Sequence, residues 1–212
     1  MTKEQELRLR MISYDGGDPA RIQHFIKVYT FAVMIGEGEQ LPEETMEILR
    51  AAALVHDIGI KMAEEKYGSS DGKLQEKEGP PVARQMLTEI GYPQEVVDRV
   101  CYLVGHHHTY LDMDGMDYQI LVEADFLVNL FENASTRKVI RSVDTKIFRT
   151  AAGRRILHAM FALDGAEDVA RVGETEFLGR PVGGVVGHPG LQARDGPLAF
   201  GVPIVHGGTP TA

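Results

Sequence analysis

Apolar residues recur along the first half of the chain with the period of an amphipathic helix rather than a strand. Asp18-Pro19 pairs an N-cap acceptor with proline at a first helical position, so a helix opens there. His24, Val28, Phe31 and Ile35 then share one face, and Gly36 and Gly38 stop the helix. Leu41-Pro42-Glu43-Glu44 opens a second helix with acidic residues in its first turn, as the helix dipole favours. It carries Ile48, Leu49, Ala52 and Ala53 inward as far as His56 and breaks near Gly59. Residues 67–79 read as a polar loop, and Pro80-Pro81 then starts a helix that ends at Gly91-Tyr92-Pro93. The next helix turns Val96, Val97, Val100, Leu103, Val104 and His107 inward. After a turn-rich loop over 112–117, residues 118–131 are apolar almost all round, the mark of a central buried helix. A last amphipathic helix is expected over about 153–163. With no repeat and little period-two alternation, the expected fold is all-α, a helical bundle.

Composition divides the chain. Beyond residue 164 lysine disappears, glycine and proline dominate, and helical period is lost. The expectation is a helical domain over 1–163 and a flexible Gly/Pro-rich, disordered tail over 164–212, with 200–205 able to pair as an irregular strand. A length of 212 residues with 43% hydrophobic and 25% charged content suits one soluble domain. The net charge of -9 and pI near 5.4 argue against a nucleic-acid groove binder. They leave small anionic substrates open, because one cation reverses the local sign. The single Cys101 lies among Val100, Leu103 and Val104, which reads as a buried packing thiol in a reducing compartment. The polar, acidic start lacks a signal-peptide core, and no apolar stretch reaches bilayer length. The expected location is cytoplasmic, with no membrane contact.

Four residues strain this plain picture. His24, the pair His56-Asp57, and Asp125 all fall on apolar faces. Asp125 stands one turn after Leu121 and close to Val128, and Asp57 sits about 100° around from His56. Burying an imidazole or carboxylate without a partner costs several kcal/mol. Separate partners are conceivable: a lone inward histidine is often a satisfied core residue, and Asp125 could meet Lys61, Arg50 or a backbone amide. One shared divalent cation answers for all four at once. Two imidazoles and two carboxylates form a mixed N/O set suited to Mn, Co, Ni, Fe, Zn or Mg.

The order His24, His56-Asp57, Asp125 resembles the H…HD…D signature of the HD-domain metal-dependent phosphohydrolase superfamily. The flanking strings Leu54-Val55-His56-Asp57-Ile58-Gly59-Ile60-Lys61 and Glu123-Ala124-Asp125-Phe126-Leu127 strengthen the likeness, which spans about residues 20–132. The resemblance implies an HD-domain helical bundle and a divalent metal held by His24, His56, Asp57 and Asp125. It also implies hydrolysis of a phosphate mono- or diester, often of a nucleotide.

Such chemistry needs positive or proton-carrying groups around the phosphate. Lys61, one turn beyond Asp57, is the leading candidate, and its alternative is a solvated lysine. In the run His106-His107-His108, His107 keeps the face of Val100 and Val104 and is expected to look into the pocket. His106 and His108 flank it as phosphate-binding, proton-shuttling or second-metal groups, or simply as a polar helix end. Lys73 would contact substrate from a lid formed by the 67–79 loop. The expected catalytic residues are therefore Lys61, His107 and Asp57, with Lys61, Lys73, His106, His107 and His108 binding phosphate. Arg84 and Arg137 could meet a leaving group, but surface salt bridges explain them equally well. Many two-metal relatives carry a further histidine after the HD helix, whereas Leu74-Gln75-Glu76-Lys77-Glu78-Gly79-Pro80 has none. Glu78 could substitute as ligand or base, so the expectation is one metal ion. The expected partner is a small phosphate-containing substrate, and a homodimer is compatible with the sequence. The rival readings are a catalytically weak or inactive nucleotide-binding sensor and a di-iron oxygenase, which would need two irons.

Overall fold

The computed structural model describes residues 1–163. Among these the chain forms nine α-helices and no strand. In order they are α1 (Lys3–Tyr14), α2 (Pro19–Gly38), α3 (Glu43–Val55), α4 (Gly59–Tyr67), α5 (Gly72–Ile90), α6 (Gln94–Val104), α7 (Met116–Glu132), α8 (Arg137–Lys146) and α9 (Ala151–Phe161). The 164–212 tail, including the strand expected at 200–205, lies outside the described residues. No helix among the described residues is long and apolar enough to cross a membrane.

Local chemistry starts most of these helices. Thr2 and Gln5 form a reciprocal capping box on α1, and Asp18 accepts from the Arg21 amide ahead of Pro19 on α2. Thr136 and Thr150 cap α8 and α9 in the same way. Gly91 ends α5 at φ 88°, a left-handed conformation open to glycine at little cost. α7 is the central element and is buried from Asp117 through Asp125 and again at Leu127, Val128 and Leu130. α2 and α3 pack on α7 and on each other, α3 also meets α6, and α5 lies against α4 and α6. The side chains of Leu121 and Leu127 are wholly withdrawn from water, each worth about 2 kcal/mol of hydrophobic stabilisation. Cys101 is buried as expected, with its thiol directed at the Pro80 carbonyl at 3.4 Å.

One boundary differs from the sequence reading. The 67–79 stretch is not a long loop: α5 begins at Gly72, where Asp71 accepts from the Lys73 amide, and runs straight through Pro80 and Pro81. An internal proline costs a helix about 3 kcal/mol through its missing N–H and ring clash, so packing must outweigh it. A Cβ added to Gly59 would come within 2.4 Å of the Gln75 carbonyl and 2.8 Å of the Gly79 nitrogen. A Cβ on Gly79 would meet Val104 Cγ1 at 2.6 Å. α4 and α5 therefore meet backbone to backbone at Gly59 and Gly79, the Val104 side chain of α6 packs on Gly79, and Gln75, Glu76 and Gly79 are buried there. Lys73 stands in the first turn of α5 rather than in a lid.

Candidate metal centre

His24 comes from the inner face of α2, and Asp125 from the middle of α7. His56 caps the end of α3, and Asp57 follows in the turn before α4. The four converge. Nε2 of His24 lies 3.3 Å from Nε2 of His56, 3.2 Å from Asp125 Oδ1 and 3.5 Å from Asp57 Oδ2. Nε2 of His56 lies 3.4 Å from Asp57 Oδ2 and 3.6 Å from Asp125 Oδ1. His24 and His56 are 3% and 1% exposed, so water cannot dissipate this crowding of polar atoms.

The outer nitrogens are already committed. Nδ1–H of His56 donates to the Ala53 carbonyl at 3.0 Å, and Nδ1–H of His24 donates to Glu132 Oε2 at 2.9 Å. Each neutral ring then keeps its lone pair on Nε2, pointed at the other ring and at two carboxylates. Lone pairs facing one another at this range need a proton or a metal cation between them. Without a cation, protons are drawn in. Burial opposes a charged His24, yet hydrogen bonds to Asp125 and Glu132 and the field of Asp57 raise its pKa to about 9. His56 is raised as well, against burial, chiefly by Asp57. Burial works against ionised Asp57 and Asp125, but the surrounding imidazoles hold both below the ordinary carboxylate range.

His107, the inward member of its run, supplies the sharpest test of fit. Its Nδ1–H donates to the Val104 carbonyl at 2.9 Å. Its Nε2 is buried 3.3 Å from Asp57 Oδ1, with no well-formed hydrogen bond among the described residues. An imine nitrogen facing a buried carboxylate calls for a cation between them, a proton or a metal ion. Ligand atoms of His24, His56 and Asp57 lie within 4.8 Å of one another, and those of Asp57, His107 and His108 do likewise. The His/Asp cluster is compatible with a divalent metal, with Asp57 common to both groups.

The other expected residues are placed as follows. Lys61 Nζ donates to the Tyr14 carbonyl at 3.0 Å and lies 4.9 Å from that ring's centroid. Lys73 Nζ pairs with Glu76 at 2.7 Å and donates to Thr109 Oγ1 at 2.8 Å. His106 donates from Nδ1 to the Tyr102 carbonyl at 2.7 Å and stacks on the Tyr102 ring. The His108 ring packs against that of His107, tilted by 43° with centroids 4.0 Å apart. Burial and the neighbouring His107 lower the His108 pKa to about 4, so it is neutral near pH 7. Glu78 pairs with Lys66 and accepts from the Tyr67 hydroxyl, and it is Gln75 that reaches the histidine run. Arg84 pairs with Asp98, and Arg137 donates to the Ala162 carbonyl at the end of α9.

Three contributors were not anticipated: Glu132 on His24, Asn129 on Asp125 at 2.8 Å, and Gln75 on His108. Asn129 and Glu132 stand four and seven residues after Asp125, on the same helix face. That spacing was a usable signal.

The sequence profile of a family described as HD domain matches residues 21–139, which include all four converging residues. The fold is similar to the crystal structure of a predicted HD superfamily hydrolase from an uncultured Thermotogales bacterium. The TM-score is 0.56 at 21% identity, covering 76% of this chain and 86% of that one. The structure of YpgQ from Bacillus subtilis matches with a TM-score of 0.48 at 17% identity, over 80% of this chain and 99% of that one. No curated protein sequence matches the chain.

Proposed function

Because this chain belongs to the HD domain family, we propose that it is a metal-dependent phosphohydrolase of small phosphate mono- or diesters, with nucleotides the first substrates to test. The observation that carries this reading is the convergence of Nε2 of His24 and Nε2 of His56 on Asp57 and Asp125. Those four residues hold one divalent cation, which when bound supplies Lewis acidity toward a phosphoryl oxygen. Glu132 and the Ala53 carbonyl fix the two rings so that both present Nε2. Asp57 also faces His107, which supports a role for the histidine run in contacting the phosphate. His107 and His108 serve there as the hydrogen-bonding and proton-carrying groups for a phosphate oxygen. Lys61 supplies positive charge by exchanging its bond to the neutral Tyr14 carbonyl for one to the charged phosphate, the stronger acceptor.

The test is elemental analysis of the purified protein, followed by a phosphate-release screen of nucleotides with Mn, Co, Ni or Mg. Metal and turnover should be lost together in Asp57→Ala. Unchanged metal content and unchanged activity in that variant would overturn the proposal.

A second reading draws support from the engagement of Lys61, Lys73 and His106 with protein partners. In it the chain binds a nucleotide at an intact metal site with little or no turnover. Saturable nucleotide binding without phosphate release, across the same metals, would favour it.

A further inference from the structure

The turn that follows α6 is bonded down from two neighbouring helices. From α7, the Tyr118 hydroxyl meets the carbonyls of His106 and Thr109. From α5, Glu76 Oε1 accepts from the His108 amide at 3.1 Å and from the Thr109 hydroxyl at 3.0 Å. Lys73 closes this second contact, donating to Glu76 Oε2 at 2.7 Å and to Thr109 Oγ1 at 2.8 Å. Glu76 is 9% exposed and Tyr118 only 1%, so these bonds are shielded from water and hold the backbone firmly as far as residue 109.

Tyr110 comes next, and its hydroxyl makes no hydrogen bond among the described residues. Its ring packs on Phe126, with centroids 5.2 Å apart and the planes at 59°. Phe126 directly follows Asp125 on α7, and both aromatic side chains are only partly buried. The ring of Tyr110 thus reaches from the histidine run to the helix that carries Asp125. Burial is the larger influence on its hydroxyl, followed by the charges of Asp125, Glu76 and Asp57; together they push the phenol up from its usual value, so it keeps its proton. None of these carboxylates takes a hydrogen bond from it. What remains is a protonated donor on a fixed ring, in reach of solvent and in the field of the centre.

We infer that Tyr110 is a phosphate-binding residue: its hydroxyl donates to a non-bridging oxygen of the substrate phosphate, while Phe126 fixes its ring and Glu76 fixes the turn that carries it. The inference rests on the phosphohydrolase reading above and adds to it a residue that periodicity did not single out. A donor without net charge suits this position, because it bonds to an anion without forming an ion pair with Asp125 or Asp57 when substrate is absent.

The experiment uses the full chain loaded with Mn2+ and takes inorganic phosphate as the probe. Tyr110→Phe keeps the ring and its packing and removes only the donor. Its Mn2+ affinity and urea midpoint should equal those of the wild type. Calorimetric titration should show phosphate bound about 10- to 100-fold more weakly, the range for one hydrogen bond to a charged group. The KM of any ester that the wild type hydrolyses should rise, or its kcat/KM fall, by a similar factor. Equal phosphate affinity in the two proteins would overturn the inference, and so would a wild type that binds no phosphate. A parallel loss of Mn2+ affinity would also overturn it, because the effect would then lie on the metal. If phosphate binding depended on Tyr110 and yet no ester were hydrolysed, the hydrolase reading would fall while the Tyr110 contact stood.

Discussion

Oε2 of Glu132, at the end of α7, lies 2.9 Å from Nδ1 of His24 on α2. One helix therefore supplies a ligand-type carboxylate, Asp125, and two turns later the carboxylate that aims a ligand-type ring on its neighbour. Glu132→Ala should weaken divalent-metal affinity about 10- to 100-fold with little change in the fold. Competition of Mn2+ against a chelator measures this. Lys27→Ala is the control, because Lys27 bonds to the other oxygen of Glu132, at 2.5 Å, and not to the one that meets His24. Equal affinity in Glu132→Ala and the wild type would remove Glu132 from the centre.

Removing the cation should cost stability. A ligand at 100 times its dissociation constant stabilises the fold by about 2.7 kcal/mol. Mn2+ should therefore raise the wild-type melting temperature by several degrees, and EDTA should reverse the rise. Asp57→Ala should show no such response. A shift of equal size in that variant would mean that the cation binds elsewhere.

How much of this was legible in the sequence depended on how directly each residue was forced. His24, His56, Asp57 and Asp125 could be read because helical period placed an ionisable group where apolar neighbours demanded burial. The start of α5 could not, because Pro80-Pro81 reads locally as a helix start. What carries the helix through it is the contact of Gly59 with Gly79, two residues far apart in the chain. Periodicity put His107 inward, and it is buried. It said less about His106 and His108, since α6 ends at Val104 and the run lies beyond the helix. The long stem of Lys61 left its amine undetermined, and the hydrogen bond to Tyr14 is a tertiary fact. Gln75 gave no signal, because a buried amide looks like any polar residue on a helix.

The Gly59 contact makes its own prediction. The atoms a methyl group would meet there are backbone of α5, which has little room to give. Gly59→Ala should destabilise the protein by about 3 kcal/mol, the upper range for overpacking, as read by urea unfolding. It should also weaken metal binding, because Gly59 follows the His56-Asp57 turn directly. A fully stable Gly59→Ala variant would show that α4 and α5 can separate freely.

The last prediction concerns pH and uses a residue outside the converging set. Asp15, in the turn between α1 and α2, has its pKa raised from 3.8 to about 6. Burial is the main cause, opposed by Arg21 and Lys61 and aided by Asp18 and Asp57. A carboxyl whose folded pKa lies above its unfolded value holds more protons in the native state. Its contribution to stability is therefore complete below pH 3.8 and is lost as pH rises through about 6. Asp15→Asn removes that dependence. The variant should match the wild type near pH 3.5 and exceed it near pH 7.5 by about 1 kcal/mol after solvent screening. Urea midpoints of the two proteins across this range provide the measurement, and a gap that does not grow between pH 4 and 6 would contradict it. Because Asp57 contributes to the shift, a cation that neutralises Asp57 should narrow the gap. Repeating the series with saturating Mn2+ thus tests the placement of Asp15 and the occupancy of the metal centre together.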